Sequence, residues 1–408
     1  MPESSTSPGT FAGYPVRPDL AHLDARALPA NLPERLLARI DEARRELAAP
    51  FVGVTTDGTP LTGLFGLRST GVSTQPMVEA AHAFLAALDA AQRDEVMRAI
   101  DSSDWRAWLN PEMYLLRHGL LLERLDAGGR EAALALVRAS LSRAGGDRVR
   151  NLMRLNELLK DLTGNLEGLG EWLYFLTIFG TPSATEPWGW QLDGHHININ
   201  CFVIGDQVVL TPTMLGAEPV YGDRAPYLDI REFVEEEQTA LDLMAALSPA
   251  QRGEATLFPS IQSKDLPPER YDFANGRQQA HALRDNVRIP YEGTRAAAFT
   301  ESQRAALMRV VQAHTAMLRP GDEVVRLDEV RAHLDDTYVA WMGGHETGDV
   351  FYYKVHSPVV LIEFDMHKGI FLSNDEPERF HIHVVIRTPN GNDYGKDLLR
   401  QHLAVRGH

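Results

Sequence analysis

Residues 188–204 read WGWQLDGHHININCFVI, and this stretch decides the fold class. It is rich in β-branched and aromatic residues, and Asn198 and Asn200 alternate with apolar neighbours, which is typical of a β-strand. A similar stretch, QVVLTPTML, follows Gly205-Asp206, a pair that favours a hairpin. Three further strands are predicted near 349–356, 359–367 and 380–388. The sequence from about residue 181 therefore predicts a sheet region that also contains helices.

The preceding part of the chain has a helical pattern. From about residue 33 to 179, leucines recur at helical spacing, for example Leu152, Leu155 and Leu158. Capping boxes predict helix starts at Asp89-x-x-Gln92, Ser248-x-x-Gln251 and Thr300-x-x-Gln303. We therefore expect an α+β fold. A loose N-terminal arm, 1–30, precedes a mainly helical lobe, 31–180, packed on a mainly antiparallel sheet region with covering helices, 181–408. One continuous domain over 31–408 stays open as the alternative.

Composition limits the partners and cofactors. The chain has 40 Lys and Arg against 56 Asp and Glu, and this net charge of −16 disfavours nucleic-acid and membrane partners. A single cysteine, Cys201, excludes an intramolecular disulfide and a thiolate-rich metal site, which leaves His, Asp and Glu as metal ligands. Because neither a signal-peptide pattern nor a long apolar run is found, we expect a cytoplasmic protein. Its oligomeric state is left open.

The predicted strands each divide into an apolar and a polar face. In the last one, Ile382, Val384 and Ile386 form one face, since alternate residues of a strand point to opposite sides. A solvated sheet face is the alternative interpretation, but His and Asn at this density favour metal ligation or hydrogen bonding to a substrate. The polar faces combine His196, Asn198, Asn200, Tyr352, Lys354, His356, Glu363, Asp365, His367, His381, His383 and Arg387.

The motif His381-x-His383 is the strongest indication of a metal site. Two imidazoles at positions i and i+2 of a strand point the same way and can bind one ion together. His196 is the expected third ligand, with His356 and Glu363 as alternatives. Imidazole ligands favour one transition-metal ion, zinc, iron or copper, over calcium and magnesium, which prefer oxygen.

Three residues of the polar face are catalytic candidates. Glu363 would act as general base toward a metal-bound water. Arg387 would bind a carboxylate group of the substrate in bidentate fashion. His356 shares their face and is the third candidate.

The residues next to His196 are expected to support the site. Neighbouring residues of a regular strand face opposite ways, so His195 is assigned with Asp193 to a supporting or core hydrogen-bonding role. A bulge at Gly194 would exchange the roles of His195 and His196.

Several segments together resemble a known family. They are RHG with LLLERL, ASLSRAGG, FGTPS, WGWQLDGHHININ, TPTMLGAEP, YYKVHSPVVLIEF and HIHVVIRTPNGNDYG. In this order they resemble the domain of unknown function 3500 family of bacteria and fungi, from about residue 100 to the end. The motifs that coincide are His195-His196, Glu363, His381-x-His383 and Asp393-Tyr394-Gly395.

The chain also departs from this family pattern. Leu361 stands where an aromatic residue is expected, and Arg387-Thr388-Pro389 stands where Arg-Asp-Pro is expected. The second departure weakens the case for an aspartate near Arg387. The resemblance implies no reaction, cofactor or catalytic residue.

We therefore expect a metal-dependent enzyme that hydrolyses a small molecule, for instance a carboxylate-bearing one, with metal-activated water. A mononuclear iron or copper oxidoreductase with the same ligands is the first alternative. The second is a non-catalytic protein that binds a sugar or amino acid through Asn198, Asn200, Tyr352 and Arg387. The sequence contains no Gly-x-Ser-x-Gly motif, Walker-type loop or dinucleotide fingerprint.

Overall fold

A computed structural model describes residues 9–18, 24–27, 31–110 and 114–406. It has the predicted α+β fold. The helices are α1 Glu34–Ala48, α2 Gln75–Ala86, α3 Ala90–Val96, α4 Ala127–Ser140, α5 Arg143–Thr163, α6 Val234–Ala246, α7 Pro249–Ala255, α8 Glu301–Thr315, α9 Pro320–Ala332 and α10 Lys396–Arg406. The strands are β1 Thr10–Phe11, β2 Tyr14–Pro15, β3 Met97–Arg98, β4 Leu120–Leu121, β5 Tyr174–Gly180, β6 Trp188–Gly194, β7 Ile197–Ile204, β8 Gln207–Val209, β9 Thr213–Ala217, β10 Thr256–Phe258, β11 Thr294–Arg295, β12 Tyr338–Gly343, β13 Phe351–His356, β14 Leu361–Met366 and β15 Ile382–Arg387.

In the described residues, thirteen strands form one large sheet. Its main path runs β10-β12-β13-β14-β15-β9-β7-β6-β5-β3, while β11, β4 and β8 pair with β12, β5 and β7. The sheet is mixed, because β10 and β3 pair in parallel with β12 and β5, whereas the central pairs are antiparallel. The strands predicted after residue 181 are therefore neighbours in one sheet.

Local sequence signals account for several boundaries. The three predicted capping boxes are present, with both reciprocal hydrogen bonds, at the starts of α3, α7 and α8. The hairpin at Gly205-Asp206 is confirmed, since Ile204 pairs with Gln207. The prediction of a helical segment over 33–179 missed three strands, however. These are β3, β4 and β5, and they belong to the large sheet.

Both faces of the sheet are buried. The main apolar core includes Ile382, Val384 and Ile386 from one face of β15. A second apolar cluster joins Val385, on the opposite face, to Leu36 of α1. The alternative of a solvated polar face is therefore excluded, and the polar side chains predicted for that face lie inside the protein.

The predicted loose arm is packed where the structure describes it. In 9–18, Phe11 is fully buried and the Arg17 backbone N–H donates to Phe371 O. The remainder of the predicted arm, 1–8, 19–23 and 28–30, lies outside the described residues. Within the described part of the chain, none of the helices has the length and apolarity needed to cross a membrane.

Candidate metal centre

His195 and His196 form the two-residue turn between β6 and β7. Gly194, the last residue of β6, pairs with Ile197, the first residue of β7. The prediction of one continuous strand through the two histidines was therefore wrong, as was that of a bulge at Gly194. The two imidazoles do not face opposite ways but stack, with ring centroids 3.9 Å apart. His196 has φ of +61°, a conformation that costs energy for a residue with a side chain.

Three histidines converge in the interior. Nε2 of His383 lies 3.1 Å from Nε2 of His196 and 3.0 Å from Nε2 of His381. One ring nitrogen from each residue lies within 4.8 Å of the others, and all three residues are buried. Two nitrogens bound cis to one ion at about 2.0–2.1 Å are themselves about 3 Å apart. The buried triad could therefore hold a metal ion.

Gly216 makes room for this convergence. It lies between the two histidines, since it pairs with His383 across β9 and β15 while its N–H donates to His196 O at 2.8 Å. A Cβ atom on Gly216 would lie 2.9 Å from Cδ2 of His383 and 3.0 Å from Cδ2 of His196. The missing side chain thus leaves the space in which the two rings meet.

One backbone carbonyl orients two of the imidazoles. Nδ1 of His381 lies 2.6 Å from Lys368 O, and Nδ1 of His367 lies 3.0 Å from the same oxygen. Because a carbonyl oxygen only accepts, both rings carry hydrogen on Nδ1, and in the neutral form the lone pair is on Nε2. Such hydrogen bonds fix the orientation and tautomer of histidines that bind metals.

A buried carboxylate supports the same region. Glu218 Oε2 lies 3.6 Å from Nδ1 of His381, and both residues are fully buried. The carboxylate of Glu218 accepts hydrogen bonds from the backbone N–H groups of Ile370, Phe371 and Leu372. These donors stabilise the negative charge of Glu218. The carboxylate therefore lies next to Nδ1 of His381, whereas the nitrogen of His381 that approaches His383 is Nε2.

The surroundings keep the imidazoles of His196, His367 and His383 uncharged. Burial lowers the pKa of His196, His367 and His383 well below the usual value, and neighbouring imidazoles lower it further. A charged imidazolium is disfavoured because it loses its hydration. Neutral imidazole is the form that binds a metal.

His367 is a functional candidate to which the sequence analysis assigned no role. Its ring centroid lies 4.9 Å from that of His381 and 4.8 Å from that of His383. Its Nε2 is buried and has no hydrogen-bond partner among the described residues. The signal was available, because His367 directly follows β14 and continues the alternation of Glu363 and Asp365.

Glu363 lies on the predicted face but not among the converging nitrogens. Its carboxylate accepts hydrogen bonds from the Tyr352 hydroxyl at 2.6 Å and from the backbone N–H groups of Gln279 and Ala280, each at 2.8 Å. Burial raises its pKa, an effect opposed by the charge of Lys354. Glu363 and Tyr352 are therefore partners of each other and of a covering loop.

Arg387 is enclosed by groups of its own chain. It donates to the carbonyl oxygens of Ala280 and His281 and forms ion pairs with Asp285 at 2.7 Å and Asp393 at 3.1 Å. The departure Arg387-Thr388-Pro389 weakened the case for an aspartate near Arg387, but the structure places two aspartates there, Asp285 and Asp393, both from outside β15. The guanidinium is fully buried in this network, which accounts structurally for its position.

His356 is not brought to the triad. It pairs with Leu361 in β14, whereas His383 is opposite Asp365, which pairs with Tyr352. Four residues along a strand separate Tyr352 from His356, about 13 Å. His356 is buried, and neither ring nitrogen has a hydrogen-bond partner among the described residues.

The polar residues of β6 and β7 bond to one another. The Nδ2 atom of Asn200 donates to Asn198 Oδ1 at 2.7 Å, and Nδ2 of Asn198 donates to Asp193 Oδ1 at 3.0 Å. Nδ1 of His195 donates to Asn156 Oδ1 at 2.8 Å. The first two contacts lie within the hairpin whose turn carries His196, and the third ties that turn to α5.

Comparisons with known proteins place the chain in a family without assigning a function. A family model described as protein of unknown function (DUF3500) matches residues 70–396. No curated protein and no solved structure matches the chain. Because the family match covers most of the 408 residues, the chain belongs to the DUF3500 family, in agreement with the motifs of its sequence.

Proposed function

We propose that this protein is a metal-dependent enzyme acting on a small molecule, with one transition-metal ion bound by His196, His381 and His383. The observation that carries the proposal is the convergence of three Nε2 atoms, since those of His196 and His381 lie 3.1 and 3.0 Å from that of His383. Support also comes from Lys368 O, which orients His381, and from burial, which lowers the pKa of His196 and His383 and so keeps these two rings neutral. Imidazole ligands suit zinc, iron and copper.

Hydrolysis by metal-activated water is the reaction that we favour. Three neutral ligands leave the full charge of a divalent ion available to lower the pKa of a bound water toward neutrality. The carboxylate of Glu363 already accepts hydrogen bonds from Tyr352, Gln279 and Ala280. The proposed reaction therefore uses the acidity of the metal-bound water itself rather than Glu363 as general base.

An iron or copper oxidoreductase is the second candidate, and His367 is the observation that favours it. Its imidazole lies as close to those of His381 and His383 as these two lie to each other, with ring centroids 4.7–4.9 Å apart. A fourth nitrogen would fill the position that a tetrahedral zinc hydrolase keeps open for water. Iron and copper accept higher coordination numbers and redox chemistry.

Elemental analysis of protein purified without a histidine tag tests the metal site. We expect about one transition-metal ion per chain in the wild type and its loss in His383→Ala. The matched control is His82→Ala, because His82 is exposed on α2 and should leave the metal content unchanged. If the wild type retains no transition metal after loading and dialysis, the proposal is wrong.

The two reactions give different signals from the loaded protein. A zinc hydrolase cleaves model esters or amides without consuming oxygen, and its rate depends on His383. An iron or copper oxidoreductase shows a redox-active spectrum or consumes oxygen. Metal binding with neither activity would contradict the enzymatic proposal while leaving the metal site in place.

A further inference from the structure

A groove of about 420 Å³ lies beside β4 and β5. Its apolar part includes Leu121 and Phe175, which are buried in one small cluster together with Tyr114. This volume is in the range of small-molecule sites. The groove is lined by residues other than the histidines of the metal centre, so a ligand site in this groove does not depend on the proposed function.

Arginine side chains are concentrated in this groove, although the protein is acidic. Its lining contains the four arginines Arg26, Arg98, Arg117 and Arg124 and two glutamates, and Asp24 and Asp104 pair with Arg26 and Arg98 from beside it. The whole chain carries −16. A cationic site in such a protein attracts small anions over short distances, where neighbouring charges dominate the field.

Three of these arginines have acidic partners. Arg26 pairs with Glu123, and Arg124 pairs with Glu95, each at 2.5 Å. Arg98 pairs with Asp104 at 2.8 Å. Their charges are largely neutralised by these contacts.

Arg117 differs from the other three. It forms no ion pair with any residue that the structure describes, and its Nη1 donates to Ala25 O at 3.2 Å. Partial burial lowers its pKa, and the negative charge of Asp24 opposes this effect only in part. A partly desolvated guanidinium with free donors is suited to bind an oxyanion.

We propose that this groove binds a small monocarboxylate with an apolar body. The carboxylate pairs with the guanidinium of Arg117, and the body packs against Phe175 and Leu121. Arg117 is the one arginine of the lining that has no ion pair among the described residues, so the groove offers a single unpaired guanidinium, which favours a singly charged carboxylate over a dianion such as phosphate. A guanidinium matches a carboxylate in bidentate geometry better than an ammonium does.

Ligand-observed NMR titration of the full chain tests the proposal with three probes. Benzoate supplies the carboxylate and the apolar body, benzamide is its neutral counterpart, and inorganic phosphate is the dianion. We expect saturable binding of benzoate only. Arg117→Gln should weaken it by about tenfold or more, and Arg117→Lys should bind with intermediate affinity.

The matched control is Arg143→Gln, because Arg143 is an exposed arginine of α5 outside the groove. It should bind benzoate as the wild type does. Circular dichroism and the melting temperature show whether each variant is folded. Absence of benzoate binding at millimolar concentration, or equal binding by a folded Arg117→Gln, would overturn the proposal. Phosphate or benzamide binding as tight as that of benzoate would overturn the assignment to a monocarboxylate.

Discussion

A Cβ atom on Gly216 would lie 2.9 Å from Cδ2 of His383, because the two residues are paired across β9 and β15. We therefore expect Gly216→Ala to displace the imidazole of His383 and to weaken metal binding. An effect of about 10–100-fold is typical when the orientation of a ligand is disturbed. Competition with a chromophoric chelator measures the affinity.

Gly253→Ala is the control for this substitution. Gly253 lies in α7 with nothing within 4 Å of the position of a Cβ atom. Alanine should be accepted there and leave metal binding unchanged. If folded Gly216→Ala protein bound metal as tightly as the control, the space between His196 and His383 would not be needed.

Glu218→Gln should also lower metal affinity. The substitution removes the negative charge 3.6 Å from Nδ1 of His381 but keeps a side-chain oxygen for the backbone N–H groups of 370–372. Loss of such a supporting group costs about 10–100-fold in affinity. Glu235→Gln, at an exposed position of α6, is the control. Equal affinities of the two variants would show that Glu218 does not act on the centre.

Period-two alternation explains why part of the site was predictable. His383 lies in β15 and His381 directly precedes this strand, and the i, i+2 spacing brings both side chains to one side. The strands β13 and β14 were predictable for the same reason, whereas β10, β11 and β12 were not predicted. The turn at His195-His196 was not, because two-residue hairpins usually use Asn or Gly where φ is positive, and here a histidine takes that position.

Contacts between distant segments account for what the sequence could not show. Gly216 is important only because it pairs with His383, a residue more than 160 positions away. Similarly, the sequence placed Arg387 on a strand but gave no sign that Asp285 would occupy its donors. The sequence shows which side chains could bind a metal or a substrate. Whether their hydrogen-bond donors and acceptors are already occupied by other residues depends on tertiary packing.

The buried network around Arg387 predicts a loss of stability. Arg387→Met would leave the carboxylates of Asp285 and Asp393 without one of their cationic partners. Breaking a buried pair in this way costs about 3–5 kcal/mol, measured by urea unfolding. Arg143→Met, at an exposed position, should cost less than about 1 kcal/mol. Unchanged stability of Arg387→Met would contradict the structural role and favour a substrate-binding one.

The last prediction concerns His356 and acid stability. Burial lowers the pKa of His356 to about 3, and the charge of Lys354 lowers it further. In the unfolded chain a histidine titrates near 6.5, so between these values the unfolded state binds the extra proton. The free energy of unfolding therefore falls as the pH falls from about 6.5 toward 3. The titration of His356 accounts for a loss of about 2 kcal/mol in the free energy of unfolding between about pH 7 and about pH 5, and replacing His356 by leucine removes this loss.

Urea unfolding of His356→Leu and wild type at both pH values measures the difference. We expect the variant to lose less stability on acidification, because leucine neither titrates nor leaves two buried ring nitrogens without partners. His82→Leu, exposed on α2, should behave as the wild type. Since His356 does not reach the triad, His356→Leu should also retain the metal content of the wild type. Loss of metal in a folded variant would instead place His356 at the centre and contradict the pairing of β13 with β14.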